Sequence, residues 1–302
     1  GYGSDALKGY AFSLKMNGQY EEAKNVFKQL GQEIGSPYEF RKEISSCTLA
    51  EQWNKDSSYN DYQVFDLPFN TRFAEYSPFI LPNNTLIFTS DRGAIDKKTK
   101  YNWTGNSFSD LYEITENGTP QKIDLPFNSM GNDGTLCYNS DQTEAFFTSC
   151  NGSGNIDVYC KLMTSRKVGS NWGEPEMMSF CEPKFNYGHP SLSSNGNTLY
   201  FTCNKTDGWG GYDIYRVERK NGIWGIPDLM SRSINTTENE LFPFIDADTL
   251  YFASNGHSGM GGLDIYKSYK TNKDNWTPPQ NLKAPINSSM DDFSFIPNRY
   301  TK

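Results

Sequence analysis

The sequence predicts a mainly β protein, a β-propeller of four-stranded blades that follows a short α-helical segment. A strand pattern recurs after 59, 54 and 51 residues. Aromatic residues make up 15% of the chain although the mean hydropathy is −0.70, and there are 26 glycines. This composition is typical of short strands joined by tight turns. The first 56 residues instead place their apolar side chains at helical spacing.

The clearest repeat is a seven-residue apolar segment that ends in turn-forming residues. Its copies lie at 85–91, 144–150, 198–204 and 249–255. Each copy is rich in aromatic and β-branched residues, and a loop that contains Gly or Asn follows it. This pattern predicts a short buried strand.

Three further elements recur around this strand. A segment that precedes it lies around Pro78, Thr135, Pro190 and Pro243, and again around Ser294. An Asp-aliphatic-Tyr segment follows it at 110–112, 157–159, 213–215 and 264–266. A tryptophan then recurs every 52 residues, at Trp172, Trp224 and Trp276. Each unit thus contains four strands in about 50 residues and cannot bury its faces alone. These properties indicate that one unit is one propeller blade.

A small signature ends each unit and also appears before the first one, as Leu67-Pro-Phe-Asn70. It recurs at 125–128, 183–186, 233–235 and 284–287. We therefore expect a fourth strand near 62–65 to share a sheet with a strand at 293–296, which would close the ring and remove an open edge. We expect five blades in the complete propeller, with six as the alternative, and a chain that continues past residue 302. The propeller domain is assigned to 57–302.

The segment 1–56 is predicted to be helical, with helices over 6–16 and 20–30 and a third from Pro37 to about Trp53. Small and aromatic residues have the spacing of a tetratricopeptide repeat: Leu7, Ala11, Gly18, Tyr20, Ala23 and Phe27. A single repeat cannot bury its faces alone. It either packs on the propeller as a cap or continues other repeats.

The charge balance argues against several partners and cofactors. The formal net charge is −8 without a basic block, which argues against binding to nucleic acid or to an anionic lipid surface. The six cysteines form no CxxC pair, and His189 and His257 lack metal-ligand spacing, so neither a metal nor another cofactor is expected. Disulfides and buried thiols both remain open.

The repeated aspartates are the most tempting catalytic candidates: Asp110, Asp157, Asp213 and Asp264. A pair of carboxylates could hydrolyse a glycoside, and this reading stays open as an alternative. However, each aspartate occupies the same place in its repeat. That regularity favours a carboxylate that accepts N–H groups of the adjacent turn. We therefore predict a structural role for the four residues and no catalytic residue.

The loop at 92–109 departs from the repeat by its length and by its local positive charge. It and the corresponding loops of later blades supply the predicted partner-binding residues: Arg92, Lys98, Lys100, Tyr101, Trp103, Trp209, His257 and Met260. Loops on a rigid scaffold commonly carry binding sites, and exposed aromatic and Arg side chains are frequent interface anchors. The alternative is a set of solvated loops without a partner.

Longer stretches of the repeat resemble a known family. They are Gly188-His-Pro-Ser-Leu-Ser-Ser-Asn-Gly-Asn-Thr-Leu-Tyr-Phe201, Gly210-Gly-Tyr-Asp-Ile-Tyr215, Leu241-Phe-Pro-Phe-Ile245, Gly261-Gly-Leu-Asp-Ile-Tyr266 and 286–296. With the helical segment, they make the chain similar to the PorE-like OmpA-family periplasmic proteins of Bacteroidetes, which carry WD40-like propeller repeats.

This resemblance implies a non-catalytic periplasmic scaffold or adaptor associated with the outer membrane. Its implied partners are proteins of type IX secretion, gliding or adhesin complexes, among them outer-membrane proteins of the PorP/SprF type. Peptidoglycan binding would need an OmpA-type domain that these 302 residues do not include. The alternatives are a carbohydrate-active propeller enzyme and a propeller that binds a glycan or peptide without turnover.

Overall fold

The computed structural model describes residues 3–55, 62–93, 100–101, 104–115, 118–124, 126–150, 159–272 and 275–297. Three helices come first: α1 (Ser4–Met16), α2 (Tyr20–Glu33) and α3 (Arg41–Lys55). All three overlap the predicted helices. The third begins four residues after Pro37, because residues 37–40 form a turn.

Small and aromatic side chains join the three helices. Ala11, Ala23 and Cys47 are fully buried and allow a close approach around Phe27. A buried ion pair between Lys15 Nζ and Glu43 Oε2, at 2.9 Å, ties α1 to α3. The helices thus form one apolar core.

Four antiparallel sheets follow, and each is one blade. Blade 1 contains β1 (Glu75–Ile80), β2 (Leu86–Ser90), β3 (Asp110–Ile114) and β4 (Gln121–Lys122). Blade 2 contains β5 (Asn132–Tyr138), β6 (Glu144–Cys150), β7 (Lys161–Val168), β8 (Asn171–Trp172) and β9 (Glu176–Met177). Blade 3 contains β10 (Tyr187–Leu192), β11 (Thr198–Cys203), β12 (Asp213–Lys220), β13 (Ile223–Trp224) and β14 (Asp228–Leu229). Blade 4 contains β15 (Glu240–Asp246), β16 (Thr249–Ser254), β17 (Asp264–Asn272), β18 (Asn275–Trp276) and β19 (Gln280–Asn281). The mainly β propeller fold is confirmed, and the described residues contain four blades.

The innermost strand of every blade carries the same bulge. One residue in each has a positive φ, namely Ser77, Thr135, His189 and Phe242, at 53°, 48°, 55° and 50°. The register to the second strand shifts at this point in all four blades. The bulge bends the strand where it lines the central channel.

The repeated tryptophans pack across the blade boundaries. Trp224 of blade 3 meets Phe146 of blade 2 edge to face, with ring centroids 5.6 Å apart. Trp276 of blade 4 meets Tyr200 of blade 3 in the same way, at 6.3 Å. Their regular spacing therefore reflects the joining of neighbouring blades.

The third strand of blade 2 does not begin where the repeat pattern predicts. In blades 3 and 4 the strand starts at the repeat aspartate, since Cys203 pairs with Asp213 and Ser254 with Asp264. In blade 2 the equivalent pair is Ser149 and Lys161. The repeat places Tyr159 in this strand, whereas the strand begins at Lys161; Asp157 and Val158 lie outside the described residues.

The helices pack on blade 4. Met260, in the loop between β16 and β17, belongs to the helical core. Lys42 of α3 donates to the backbone carbonyl of Asn255 at 3.0 Å. Gly18 has a φ of 74°, and Ser289 Oγ lies 3.9 Å from the position of a Cβ there. The α1–α2 turn thus sits against the chain that leaves blade 4.

The predicted shared sheet of 62–65 and 293–296 is not formed. Neither segment belongs to any of the four sheets of the described residues. They nevertheless line one cavity between blade 4 and blade 1, together with Tyr76 and Ile265. The two segments are therefore neighbours without a strand ladder between them, and the blade number of a complete ring stays a prediction.

Candidate functional site: channel, repeat carboxylates and loops

The repeat aspartates of blades 3 and 4 are buried and accept hydrogen bonds from their own turns. Asp213 Oδ2 accepts the N–H groups of Trp209 and Gly210, at 2.8 and 3.1 Å. Asp264 accepts those of Met260 and Gly261, at 2.9 and 3.0 Å. Burial raises the pKa of both carboxyls, and these hydrogen bonds oppose that rise. A carboxylate held in this way fixes the loop between the second and third strands.

The aspartate of blade 1 is held by a different partner. Asp110 is 5% exposed and pairs with Lys122 of β4, whose Nζ lies 2.6 Å from Oδ2. Burial raises the pKa of this carboxyl as well, and Lys122 opposes the rise. Asp110, Asp213 and Asp264 lie in three different blades, and each is held by partners of its own blade.

The Gly-Gly pairs before Asp213 and Asp264 have a steric cause. A Cβ at Gly210 would collide with the backbone carbonyl of Glu238, and one at Gly261 with that of Met290. In both cases the loop rests on the chain that enters the next blade. Glycine is required there because only its backbone approaches so closely.

Sequence reasoning found the asparagine signature but gave it no role. Asn235 Oδ1 accepts the N–H of Ile214 at 2.8 Å, and its Nδ2 donates to the carbonyl of the same residue at 2.9 Å. Asn128 clamps Leu111 in the same way, and Asn287 clamps Ile265. The signal was the recurrence of Asn before each new blade.

The central channel is narrow and largely apolar. Five short segments line its constriction, which encloses about 30 Å³: 77–79, 135–137, 189–191, 242–244 and 294–296. One mouth opens into a cavity of about 210 Å³ with hydroxyl and amide groups of Asn139, Gln142 and Ser193 on its wall. None of the described residues that line either space is an Asp or a Glu.

His189 stands inside this channel. Its ring stacks on Phe242 with centroids 3.8 Å apart, and Nδ1 lies 3.0 Å from Thr202 Oγ1. Burial lowers the pKa of His189 to about 3, so the ring is neutral at pH 7. A neutral, stacked histidine of this kind supports the wall of the channel.

Three of the predicted partner-binding residues are less accessible than expected: Met260 is buried, and Arg92 and His257 are half-buried. Arg92 packs over the rings of Phe88 and Tyr112 and pairs with Glu75 at 2.8 Å. Met260 is 1% exposed because the helices cover it. Contacts within blade 1 cover much of Arg92, whereas the N-terminal helices, which are distant in sequence, cover Met260.

His257 is the third of these residues. It packs against the ring of Tyr266, and its Nε2 lies 2.8 Å from the carbonyl of Ile234. Burial lowers its pKa. The imidazole therefore packs against blade 4 and is not available as an interface anchor.

The remaining predicted residues lie at the surface or outside the described part of the chain. Lys98 and Trp103 fall outside it. Lys100 is exposed and forms an isolated bridge to Ser107, and Tyr101 packs on Phe108 with centroids 5.5 Å apart. The loop at 92–109 thus retains an accessible cationic side chain.

Trp209 is an accessible aromatic side chain that its neighbours hold in place. It is 40% exposed, and the Arg232 guanidinium lies over its ring at 4.0 Å. Its Nε1 donates to the carbonyl of Met230 at 3.4 Å. Tyr159, in the equivalent loop of blade 2, is 41% exposed and lies beside Lys161. Sequence reasoning missed Tyr159 because it placed that residue inside a strand.

A second surface missed by sequence reasoning lies on the outer rim of blades 2 and 3. Val168, Met177 and Trp224 line a cleft of about 480 Å³ there. Val168 and Ile223 are each 74% exposed, and Ile226 is 88% exposed. The strand pattern does not predict exposed apolar residues here, because the outer strands of a blade normally carry polar residues on their free face.

The cysteines include both a disulfide and buried thiols, the two states that the sequence left open. Cys150 and Cys160 form a disulfide across the loop between β6 and β7. The other four, Cys47, Cys137, Cys181 and Cys203, are buried free thiols. Among the residues that the structure describes, no group of three His, Cys, Asp or Glu side chains could hold a metal ion. Within the same residues, no helix has the length and apolarity needed to cross a membrane.

No family model matches the chain, and no curated protein matches it in sequence. Among solved structures, a putative TolB from Agrobacterium tumefaciens is 16% identical over 66% of this chain and 59% of its own, with a TM-score of 0.42. TolB from Acinetobacter baumannii is 14% identical over 71% of this chain and 46% of its own, with a TM-score of 0.42. An endo-arabinase from Bacteroides thetaiotaomicron VPI-5482 is 13% identical over 74% and 85% of the two chains, with a TM-score of 0.45. The chain spans about half the length of the two TolB chains. These similarities concern the fold alone.

Proposed function

We propose that this chain is a non-catalytic periplasmic scaffold that binds protein partners through loops between the second and third strands of its blades. The carrying observation is Trp209, an aromatic ring that is 40% exposed and held by Arg232 at 4.0 Å. Trp, Tyr and Arg are the side chains that most often dominate protein interfaces. A ring already fixed in place loses little conformational freedom on binding.

The buried carboxylates support a scaffold over an enzyme. Asp110, Asp213 and Asp264 are occupied by turns and by Lys122. The channel, where a propeller would hold a substrate, is walled by apolar and neutral polar side chains in its described part. Among the described side chains of the channel and the repeat, there is neither a paired acid and base nor a nucleophile with an adjacent base.

The periplasmic location is supported by the disulfide between Cys150 and Cys160. Such bonds persist in oxidising compartments and are rare in the cytosol. Within our proposal the chain is a PorE-like, OmpA-family scaffold with a tetratricopeptide segment at α1 and α2. Its partners would be outer-membrane proteins of the PorP/SprF type or other parts of a secretion, gliding or adhesin complex.

A second candidate function is binding of a peptide or glycan without turnover. The observation in its favour is the cavity of about 210 Å³ at one channel mouth, where Asn139, Gln142 and Ser193 accompany an apolar floor. A pocket with mainly apolar walls and a few polar groups is a common form of ligand site. Its neutral described lining favours an uncharged ligand.

Affinity purification from the source cells separates these possibilities. We would compare the wild type with Trp209→Ala and with Ile223→Asp, a change on the blade 3 rim. Loss of the captured complex with Trp209→Ala alone supports the loop interface. Loss with Ile223→Asp alone moves the interface to the rim and contradicts the loop proposal. Turnover of a glycan by the purified wild type would contradict the scaffold.

A further inference from the structure

A stacked aromatic pair recurs in blades 1, 3 and 4, with a Phe on the second strand and a Tyr on the third. The cross-strand pairs are Phe88 and Tyr112, Phe201 and Tyr215, and Phe252 and Tyr266. Their ring centroids lie 6.0, 6.0 and 5.9 Å apart in the three blades. Aromatic pairs of this kind commonly carry a cationic or flat side chain beside them.

In two of these blades a nitrogen-bearing side chain from the loop after the second strand lies next to the pair. The Arg92 guanidinium of blade 1 lies 4.9 Å from the ring centroid of Phe88 and 5.6 Å from that of Tyr112. The imidazole of His257 in blade 4 lies 5.9 and 5.2 Å from the rings of Phe252 and Tyr266. The blade therefore has a place beside the pair for a planar nitrogen group.

Blade 3 has a cavity in this region. Lys205 is the counterpart of Arg92, because each follows the last residue of its second strand by two positions. The Lys205 ammonium instead pairs with Glu182 and Asp207, at 2.8 and 3.3 Å. A cavity of about 460 Å³ remains, and the aromatic pair of blade 3 is part of its lining.

The other walls of the cavity are largely apolar. Phe180 is half-buried and stacks on Phe201 with centroids 5.2 Å apart. Leu229 and Ile226 also line the cavity, and Ile226 is 88% exposed. Walls of this kind suit a long apolar stem that ends in a flat group.

The charged groups of the cavity are mainly acidic. Among its described lining residues, Glu182 and Asp207 are acidic and Lys205 is basic. The two acidic side chains are 51% and 63% exposed. The Tyr215 hydroxyl donates to Asp207 Oδ1 at 2.9 Å and holds this carboxylate in place. Because two carboxylates share one ammonium, the cavity retains negative charge that attracts a cation.

We propose that this cavity binds an arginine side chain of a partner protein. The guanidinium pairs with Glu182 and Asp207, and the stem packs on Phe180 and Leu229. Arginine fits better than lysine, because its flat guanidinium both packs on aromatic rings and forms paired hydrogen bonds with carboxylates. The proposal rests on the loop interface proposed above, since Asp207 and Trp209 lie in the same loop of blade 3.

Charge and position assign the arginine to a separate, basic partner. The chain has a formal net charge of −8, so it attracts a basic partner and repels a second copy of itself. Blades 2 and 3 and the segment between them supply the described lining, so the cavity does not depend on either end of the chain. Residues 151–158, which connect β6 to β7, contain neither Arg nor Lys.

Three small probes test the cavity on the whole chain: Nα-acetylarginine amide, the neutral Nα-acetylcitrulline amide and Nα-acetyllysine amide. The backbone amide NMR signal of Trp209 follows each titration. The arginine probe should bind with a millimolar Kd, as expected for a ligand of this size. It should bind at least about tenfold more tightly than the citrulline probe, which lacks the charge. The lysine probe controls for simple attraction of a cation and should bind several-fold more weakly than the arginine probe.

Two double variants show whether the carboxylates of the cavity are responsible. Glu182→Gln combined with Asp207→Asn should weaken binding of the arginine probe at least about tenfold. Asp141→Asn combined with Glu174→Gln makes the same charge change at exposed residues that do not line the cavity. This control should keep the Kd within about twofold. Equal binding of the three probes, no saturation by the arginine probe, or equal losses in the two double variants would overturn the proposal.

Affinity purification with the same two double variants tests the occupant. The partner complex should be lost with the Glu182 and Asp207 variant alone. If that variant weakens probe binding yet keeps the complex, the cavity serves a free guanidino ligand, which contradicts the partner assignment. Concentration-dependent dimers that the variant abolishes would contradict it as well, by making a second copy the occupant. Loss of capture with Trp209→Ala but not with the double variant would retain the loop interface and remove this inference alone.

Discussion

Lys161 of blade 2 occupies the strand position that Asp213 occupies in blade 3, so a cation replaces the repeat carboxylate in one blade. The Lys161 ammonium donates to the carbonyls of Glu182 and Phe185, each at 2.6 Å, and to that of Pro183 at 3.1 Å. Partial burial lowers its pKa. Asp213 fixes its loop by accepting hydrogen bonds from N–H groups, whereas Lys161 fixes the segment at 182–185 by donating to carbonyls.

Lys161→Met should destabilise the fold by about 1–3 kcal/mol, because three carbonyls lose a charged donor. Urea unfolding at pH 7 measures the change. Lys205→Met is the matched control, because Lys205 also contacts Glu182 but through an exposed carboxylate, at 2.8 Å. That pair is expected to contribute less than about 1 kcal/mol. Equal effects of the two substitutions would contradict the role given to Lys161.

Asp213→Asn should lower the free energy of unfolding by about 1–3 kcal/mol, since a neutral amide is a weaker acceptor for the N–H groups of Trp209 and Gly210. Asp228→Asn makes the same charge change at an exposed site of blade 3 and should be nearly neutral. Thermal and urea unfolding of both variants give the comparison. Partner capture by the folded variant should persist. Unchanged stability together with loss of an activity would instead make Asp213 catalytic.

His189 should make the protein less stable in mild acid. Its folded pKa is about 3, below the ordinary value of 6.5, so the unfolded chain binds the proton first as the pH falls. The stability is complete above pH 6.5 and decreases toward pH 3, by up to about 1.4 kcal/mol per pH unit. Buried carboxyls such as Asp133 and Glu240 have raised pKa values and oppose this trend.

His189→Gln isolates the histidine from those carboxyls. The difference in unfolding free energy between wild type and variant should change across pH 7, 5.5 and 4.5, with the wild type losing relatively more stability at each step. Urea titrations at the three pH values measure it. Parallel pH profiles would mean that His189 becomes protonated without cost in the folded channel.

Removal of the disulfide by Cys150→Ser and Cys160→Ser should cost about 3 kcal/mol, as expected for a cross-link that closes a loop of ten residues. The comparison is urea unfolding of the oxidised wild type and the double variant. The reduced wild type should behave like the variant. A reduced protein as stable as the oxidised one would show that the rest of blade 2 already holds this loop.

The repeat predicted the blades well because side chains on its strands alternate between the two faces of the sheet, and the folded strands keep this alternation. It failed at Lys161, and the reason is geometric. Asp157 and Lys161 are four residues apart, and a shift by an even number leaves every side chain on the same face of the sheet. The apolar pattern therefore fits both registers, and the pairing of Ser149 decides between them.

The partner loops were harder to predict, because exposure depends on distant contacts. Trp209 and Met260 occupy similar Gly-containing loops of neighbouring blades, yet one is 40% exposed and the other 1%. The difference comes from α1 to α3, which lie more than 200 residues before Met260 and pack on it. A local pattern cannot report which copy of a repeat another segment will cover.

The contact between the helices and Met260 also breaks the approximate rotational symmetry of the ring. Four similar blades would present four similar loops on one face, and a partner could then settle in any of several rotational positions. Because the helices contact the loop of blade 4, a partner on that face would meet helices at blade 4 and the exposed Trp209 ring at blade 3. Within the proposed scaffold function, this asymmetry would give a bound partner one rotational position on the ring and the assembly a fixed geometry.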